Sequence, residues 1–339
     1  MKKIKVLIAG LAGASLGTEL TKSLAKFEDY ELYGCDISEL AYGLHMDVFK
    51  SVFLADRDRY IDSIIDFCTK NDITYVLPGG EQPTILLSRG SEKLTENCIV
   101  LLGNSAEIIG LFSDKTATFK KLHELGVPIP WTKEITAGGN PEPLSLPCIV
   151  KPARDTGGSD SVFIASTKEE CNLYVELLRS NGKIPVLQEY INLDEGEFTI
   201  GVLSGTKGNI IGSIAMKRVF NSKLSVAYKG EKGLISSGYS QGLIADFKDL
   251  RTQAEEIAKK AGSVGPLNIQ GRVREGIMIP FEINPRFSAS TFLRSMAGFD
   301  EVDFFIRNIE YGTDNFDWKL REGYYMRTFD QVFIPETKQ

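Results

Sequence analysis

The stretch Ile279-Pro280-Phe281-Glu282-Ile283-Asn284-Pro285-Arg286-Phe287-Ser288-Ala289-Ser290 constrains the fold more than any other part of the chain. Phe281 and Ile283 alternate with Glu282 and Asn284, the period-two pattern of a half-buried strand. On such a strand the Glu282 carboxylate and the Asn284 amide project from one face. Two oxygen donors side by side suit a hard cation such as Mg²⁺, which shares its ligands with phosphates. Pro285 lacks an N–H and ends the ladder. Arg286 follows with a planar fork suited to a phosphate or an acyl phosphate. Upstream, Gly265 to Val273 reads as a strand, and the turn at Arg274-Glu275-Gly276 folds it back onto this one. Asn268, Gln270 and Arg272 share a face there. If that face is the one bearing Glu282 and Asn284, Gln270 converges with them. Read alone, Glu-x-Asn fits equally an edge strand with polar outer residues.

A length of 339 residues exceeds one ordinary compact core and implies roughly two or three domains. Hydrophobic content of 42% and charged content of 25% are those of a soluble globular protein. The net charge of −6 argues against a protein that binds nucleic acid by neutralising phosphates, and does not argue against a nucleotide. Five scattered cysteines (Cys35, Cys68, Cys98, Cys148, Cys171) exclude a cysteine-based zinc site by spacing. They make a disulfide framework a poor fit, so a reducing, cytoplasmic compartment is the expectation. His45 and His123 are too few for a histidine metal site and read as surface or helix residues. The apolar run after Lys2 and Lys3 resembles a signal peptide. Lys5 interrupts it and an amphipathic helix continues it, so it reads as a buried first strand. No other stretch is long and apolar enough to span a membrane.

In chain order, Ile4 to Ala9 is a strand, Gly10 to Gly17 a glycine turn opening a helix to about Phe27, and Tyr30 to Asp36 a second strand. The spacing G-x-x-G-x-x-x-G departs from the dinucleotide fingerprint G-x-G-x-x-G, so plain helix–strand packing or a substrate-side role is the stronger reading there. Arg59 to Asn71 is a helix, Thr74 to Leu77 a strand, and Pro78 to Pro83 a loop at its carboxyl end, where ligands of open α/β sheets sit. Alternation of strand and helix makes this sheet mainly parallel. Beyond Ser113 the pattern changes. A helix is capped by Ser113-Asp114-Lys115, a Gly- and Pro-rich linker runs from Thr136 to Pro147, and an apolar strand ends at Lys151. Arg154 to Val162 is glycine-rich and, behind a lysine, is a phosphate-binding arrangement, though not a P-loop. Hairpin-like connections around 186–220 indicate an antiparallel sheet. Gly230 to Gly242 reads as a mobile loop, and Leu250 to Ala261 as an amphipathic helix.

The order Lys115 … Ile149-Val150-Lys151-Pro152 … Gly157-Gly158 … Gln188-Glu189-Tyr190 … Glu197 … Asn268-Ile269-Gln270 … Phe281-Glu282-Ile283-Asn284-Pro285-Arg286 resembles the ATP-grasp superfamily over nearly the whole chain. Within it, the chain is most similar to ligases built like one half of the carbamoyl-phosphate synthetase large subunit, a group that includes the pyrrolysine-pathway amino-acid ligase. The resemblance implies an α/β fold, α+β in its C-terminal part. An N-terminal Rossmann-like (pre-ATP-grasp) domain would span 1–112, a small lobe with the glycine-rich loop 113–187, and a large lobe with the metal site 188–339.

The same resemblance implies ATP with Mg²⁺ or Mn²⁺, as two ions. Lys115 and Lys151 would contact phosphates, and Thr156, Gly157, Gly158, Ser159 and Ser161 would close over them. Gln188, Glu189, Tyr190 and Ile191 would line the adenine, and Glu197 would take the ribose hydroxyls. Gln270, Glu282 and Asn284 would bind metal, and Arg286, Arg218 and Lys151 would be catalytic. The implied reaction activates a small carboxylate as an acyl phosphate for attack by an amine or amino acid, releasing ADP and phosphate. Carbamoyl-phosphate-type chemistry on bicarbonate or carbamate is the nearer alternative, and a non-catalytic nucleotide sensor or an oxidoreductase using the N-terminal glycine turn the further ones. Partners are then small molecules, with neither nucleic acid nor membrane, and a homodimer is left open. Substrate-facing candidates by position are Gly79 to Gln82, Arg218, Ser236 to Gly238, Ser288 and Ser290. Arg272 and Arg274 read as decoration of the hairpin, and Arg294 as facing substrate or solvent.

Overall fold

The computed structural model describes residues 3–13, 16–136, 138–153 and 161–334. In the N-terminal third each apolar strand is followed by a helical or irregular crossover, which forces parallel pairing. Strands Ile4–Ala9, Tyr30–Asp36, Ser51–Leu54, Tyr75–Pro78 and Val100–Leu101 form a five-stranded parallel sheet in the spatial order third, second, first, fourth, fifth. This is the Rossmann-like arrangement expected from the sequence, and its strand order reverses beside the first strand.

Glycines at that switch point serve packing. The Gly17 N–H donates to the Gly79 carbonyl at 2.9 Å, and a Cβ on Gly17 would lie 1.9 Å from the Gly10 carbonyl oxygen. Asp36, at the end of the second strand, accepts from the Leu11 N–H at 2.6 Å and the Ser38 N–H at 3.0 Å. The acidic residue that a dinucleotide site would turn toward a ribose is thus bonded to the glycine turn itself. Helix Glu81–Arg89 starts inside the segment expected to be a loop, leaving Gly79 and Gly80 as the connection.

Strands Thr132–Glu134, Pro185–Glu189, Cys148–Pro152 and Phe163–Ala165 form a second, antiparallel sheet in that spatial order. Helix Lys168–Ser180 backs it, capped where the Thr167 hydroxyl accepts from the Glu170 N–H at 3.2 Å. Gln188 and Glu189 pair within this sheet, opposite Ile149 and Cys148, so the boundary expected before residue 188 falls inside a strand.

The third sheet has six antiparallel strands in the order Ile277–Asn284, Pro266–Arg274, Glu197–Ser204, Ile210–Arg218, Gly242–Ile244, Gly323–Tyr325. The expected loop at 230–242 instead contains strand Gly233–Ser236, paired with Val226–Gly230 as a separate hairpin. Its apolar residues explain the difference, because Leu234 and Ile235 are buried against the body of the protein.

One apolar cluster joins the first and third sheets, running from Ile8, Leu20 and Leu77 to Met216, Phe299 and Phe305. The four-stranded sheet has its own core of Val150, Val175 and Leu187 with Cys148 and Cys171. All five cysteines are free. Among the described residues, no helix is long and apolar enough to cross a membrane.

Candidate active site

The hairpin of the third sheet brings its two polar faces together, the condition that the sequence left open. Gln270 lies opposite Glu282 and Asn268 opposite Asn284. The Gln270 amide nitrogen donates to Glu282 Oε2 at 2.9 Å, and Arg286 donates to Asn284 Oδ1 at 3.3 Å. Beyond Gln270 the register slips, so that Gly271 faces Pro280 and Phe281 is the extra residue. A proline is tolerated there because the strand is at the sheet edge and bulged. The Phe281 carbonyl accepts from Lys151 Nζ at 3.3 Å, linking this edge to the four-stranded sheet.

Lys151 ends its strand almost fully buried, at 6% exposure, and donates to Gln188 Oε1 at 2.8 Å. Gln188 is held in turn by donating to Thr132 Oγ1 at 3.0 Å. Burial pushes the Lys151 ammonium down to about 7, Lys115 adds to the effect, and Glu282 opposes it. Lys115 begins helix Lys115–Glu124, whose N-cap Asp114 accepts from the Thr116 and Ala117 N–H groups. A cation at a helix N-terminus is disfavoured by the macrodipole. Two like charges lining one cleft are stabilised by a shared polyanion.

Glu197 is wholly buried between two arginines. Arg218 donates to its Oε1 at 3.1 Å and Arg272 to its Oε2 at 2.9 Å. A carboxylate offers about four acceptor positions, so these two bonds do not exhaust it. Arg218 also donates to the Ser237 carbonyl at 2.7 Å, and burial lowers its pKa. Arg272 is no surface decoration. It donates to the Ile191 carbonyl at 2.6 Å and the Leu234 carbonyl at 2.7 Å, and its guanidinium lies 4.8 Å from the Tyr190 ring centroid. Arg274 is the exposed member of the pair and bonds Glu189 Oε1 at 2.7 Å. Arg294 faces neither solvent nor the cleft. It is buried, bonded to Glu301 and to Asn268 Oδ1, beneath the hairpin.

These residues enclose two adjoining cavities. The larger cleft, about 780 Å³ with its mouth included, is lined by Lys115, Lys151, Gln188, Glu189, Tyr190, Ile191, Glu197 and Glu282, with apolar walls from Ile149, Val162, Leu234, Ile235 and Phe281. A lining that combines charged side chains with apolar walls suits a nucleotide. The second cavity shares Ser236, Phe281 and Glu282 with the first, and adds Glu81, Ser237, Gly238, Gln270, Asn284, Arg286 and Ser288. Ser290 is buried and bonded to Ser288. Ser161 is described, with a left-handed φ of 57°. Thr156, Gly157, Gly158 and Ser159 lie outside the described residues.

Gln270, Glu282 and Asn284 offer only oxygen ligands, the chemistry of Mg²⁺ rather than of a softer metal. Among the described residues, no group of three or more His, Cys, Asp or Glu is arranged to hold a metal ion, and this trio holds a single carboxylate. One carboxylate is a weak cation site by itself, and the trio fits a metal that arrives with nucleotide phosphates. Gln270 currently turns its nitrogen to Glu282 and its oxygen toward Arg218 at 3.4 Å, so ligation through oxygen requires a half-turn of the amide.

A cleft between two antiparallel sheets, with Lys151 on one, Lys115 on the helix beside it and a carboxylate–amide face on the other sheet, defines the class of nucleotide-clasping ligase folds. A profile of the ATP-grasp domain matches residues 112–290, and the chain belongs to the ATP-grasp family. The carbamoyl phosphate synthase large chain of Neisseria meningitidis serogroup B is 28% identical over 215 residues, covering 62% of this chain and 19% of that one. The arginine-specific large chain of Bacillus subtilis is 25% identical over 238 residues, covering 67% of this chain and 22% of that one. The chain thus spans about a fifth of the length of these curated relatives. Among solved structures, the L-amino acid ligase from Bacillus licheniformis matches with a TM-score of 0.67 at 15% identity, over 91% of this chain and 74% of that one. N5-Carboxyaminoimidazole synthetase from Staphylococcus aureus matches with a TM-score of 0.65 at 15% identity, over 94% and 81%. At such identities these two likenesses speak to the fold.

Proposed function

We propose that the protein is an ATP-dependent carboxylate–amine ligase working through an acyl phosphate. The observation that supports this best is the pair of cavities joined across Phe281 and Glu282, one with the lysines and one with Arg286. ATP would lie in the first, its adenine between the apolar walls and beside Glu189, Tyr190 and Ile191, its phosphates toward Lys115 and Lys151. Glu197 would meet the ribose while holding Arg218 and Arg272 in place. Glu282, Asn284 and Gln270 would hold one or two Mg²⁺ or Mn²⁺ ions, which neutralise phosphate charge when bound.

A carboxylate is a poor acyl donor because its leaving group would be oxide. In the proposed reaction a carboxylate oxygen attacks the γ-phosphorus, the bond to the ADP oxygen breaks, and ADP leaves with the electron pair. Arg286, which lines the second cavity, would hold the negative charge on the transferred group, with Arg218, bonded to Glu197 and Gln270, adding positive charge nearby. The amine nitrogen then attacks the acyl carbon, the carbon–oxygen bond to phosphate breaks, and the nitrogen gives up a proton. Positioning and fixed charge supply the acceleration, and no nucleophilic side chain is needed.

The test is ADP release with Mg²⁺ and ATP across a panel of carboxylates and amines, wild type beside Glu282→Ala. Turnover that needs one carboxylate–amine pair and disappears in the variant is the expected result. Failure to bind ATP overturns the reading. Bicarbonate with ammonia belongs in the panel, because the 28% identity to a carbamoyl phosphate synthase large chain favours that substrate as a second reading.

A further inference from the structure

We propose that Arg327 is a positioning residue for the second cavity, tying together two chain segments that line it and so keeping water from the acyl phosphate. The inference rests on the ligase reading above and deepens it. Segments 236–240 and 286–289 both contribute to the lining of that cavity. Each is a connection: the first leads from strand Gly233–Ser236 to strand Gly242–Ile244, the second from strand Ile277–Asn284 to helix Thr291–Met296. Arg327 bonds one carbonyl on each. Its Nε donates to the Ser240 carbonyl at 3.2 Å, and its Nη2 donates to the Ala289 carbonyl. Nη2 also lies 3.6 Å from Glu19 Oε2, on helix Leu16–Ala25 of the five-stranded domain.

The placement of this side chain follows from the sheet. Strand Gly323–Tyr325 pairs with Gly242–Ile244, with Tyr325 opposite Gly242. Two residues further in the same antiparallel sense, Arg327 comes to Ser240. There the Arg327 N–H donates to Gln241 Oε1 at 3.2 Å, and the Tyr239 and Phe329 rings meet edge to face at 5.6 Å. The Arg327 side chain is only 8% exposed, although Tyr324, Met326, Thr328 and Phe329 around it are exposed. Burial disfavours its charge, and Glu19 offsets that cost. A planar guanidinium donates along fixed directions, so it sets the spacing of the two carbonyls that it bonds.

That spacing bears on the chemistry. An acyl phosphate is open to water: the water oxygen attacks the acyl carbon, the carbon–oxygen bond to phosphate breaks, and carboxylate, phosphate and a proton are released. ATP is then consumed without any amide. A ligase must therefore exclude water from the site that holds the intermediate. If the two segments part, water competes with the amine and the carboxylate is held less well.

The test compares wild type, Arg327→Met and Arg327→Lys on the carboxylate–amine pair that releases ADP. Wild type should form one amide per ADP. Arg327→Met should release roughly two or more ADP per amide. Its KM for the carboxylate should rise roughly tenfold while its KM for ATP is unchanged. Arg327→Lys keeps a charge for Glu19 but has no fork to span both carbonyls. It should melt with the wild type and still lose coupling, which decides the matter if the methionine variant folds poorly. Hydrogen exchange, which needs no substrate, should quicken in 237–241 and 286–290 together in the lysine variant. Full coupling in Arg327→Lys, an ATP KM that rises as much as the carboxylate KM, or unaltered exchange in either segment overturns the inference and leaves the ligase reading standing. No ADP from any carboxylate in the wild type overturns both.

Discussion

Lys151 makes the clearest case at the scale of single residues. Its ammonium is buried, bonded to Gln188 and the Phe281 carbonyl, and pushed down to about 7 by burial and by Lys115. In the unfolded chain the same group titrates near its reference value of about 10.4. Between those values the unfolded state binds more protons, so this lysine makes folding stability rise with pH from about 7 upward. Nucleotide phosphates favour the charged form, which gives ATP binding the opposite slope. Above pH 7 binding must take up a proton, and ATP affinity should fall as pH rises, by at most about tenfold per unit. Calorimetry in buffers of different ionisation heat measures that proton directly. Uptake near pH 8 that disappears in Lys151→Met is the expected outcome, and pH-independent affinity in the wild type would contradict it. Lys151 was legible in the sequence because a lysine closing an apolar strand before glycines is unusual. Arg272 was not. Its shared strand face with Gln270 was readable, but its partner Glu197 is 75 positions away, and only the sheet brings the two together.

Strands whose apolar and polar residues alternate could be placed from sequence to within a few residues, but whether Gln270 meets Glu282 was left open by the turn between them. Regular register from Arg274 opposite Ile277 would set Gln270 against Phe281, and the bulge at Phe281 brings it to Glu282. The hairpin Val226–Gly230 with Gly233–Ser236 was hidden, because its glycines and serines read as loop. What makes it a strand pair is tertiary. The Leu234 N–H donates to the Tyr190 hydroxyl at 2.9 Å, Arg272 bonds the Leu234 carbonyl, and Lys232 reaches Glu170 on the helix behind the four-stranded sheet. Gly233 has φ +135°, and a Cβ there would lie 2.4 Å from the Tyr190 hydroxyl, so the turn requires glycine. The hairpin therefore clasps the nucleotide cleft from the six-stranded side, with the Lys232–Glu170 ion pair as its outer fastening. Both partners are part-exposed, which limits the pair to about 0.2–1 kcal/mol. A double-mutant cycle of Lys232→Ala and Glu170→Gln, read as the ADP dissociation rate, should show each single change speeding release by up to about fivefold. The double variant should be no faster than either, and the effect should shrink in high salt. Additive rates would mean that the two residues act independently.

At the scale of the whole molecule, the chain divides by core rather than by order along the sequence. Residues of the first sheet share one apolar cluster with helices Thr291–Met296 and Glu301–Tyr311, and Tyr30 donates to Asp303 at 2.6 Å across that junction. The four-stranded sheet keeps a separate cluster. Alternation of strands and helices could reveal the sheets but not this sharing, since a buried face carries no mark of what will cover it. The consequence is a difference in unfolding. Phe299 is fully buried in the shared cluster and packs on Trp318, with ring centroids 4.9 Å apart, while Trp131, the other of the chain's two tryptophans, packs against the core of the four-stranded sheet. Each tryptophan thus reports on one core, and Trp131→Phe or Trp318→Phe isolates the other signal. Phe299→Ala should cost about 3–5 kcal/mol in the body built on the shared cluster. In a denaturant titration the Trp318 transition should move to lower concentration and take the five-stranded sheet with it, while the Trp131 transition stays where it was. If both transitions move together by the same amount, the small sheet is cooperative with the rest, and opening of the nucleotide cleft must then proceed without any local loosening of its core.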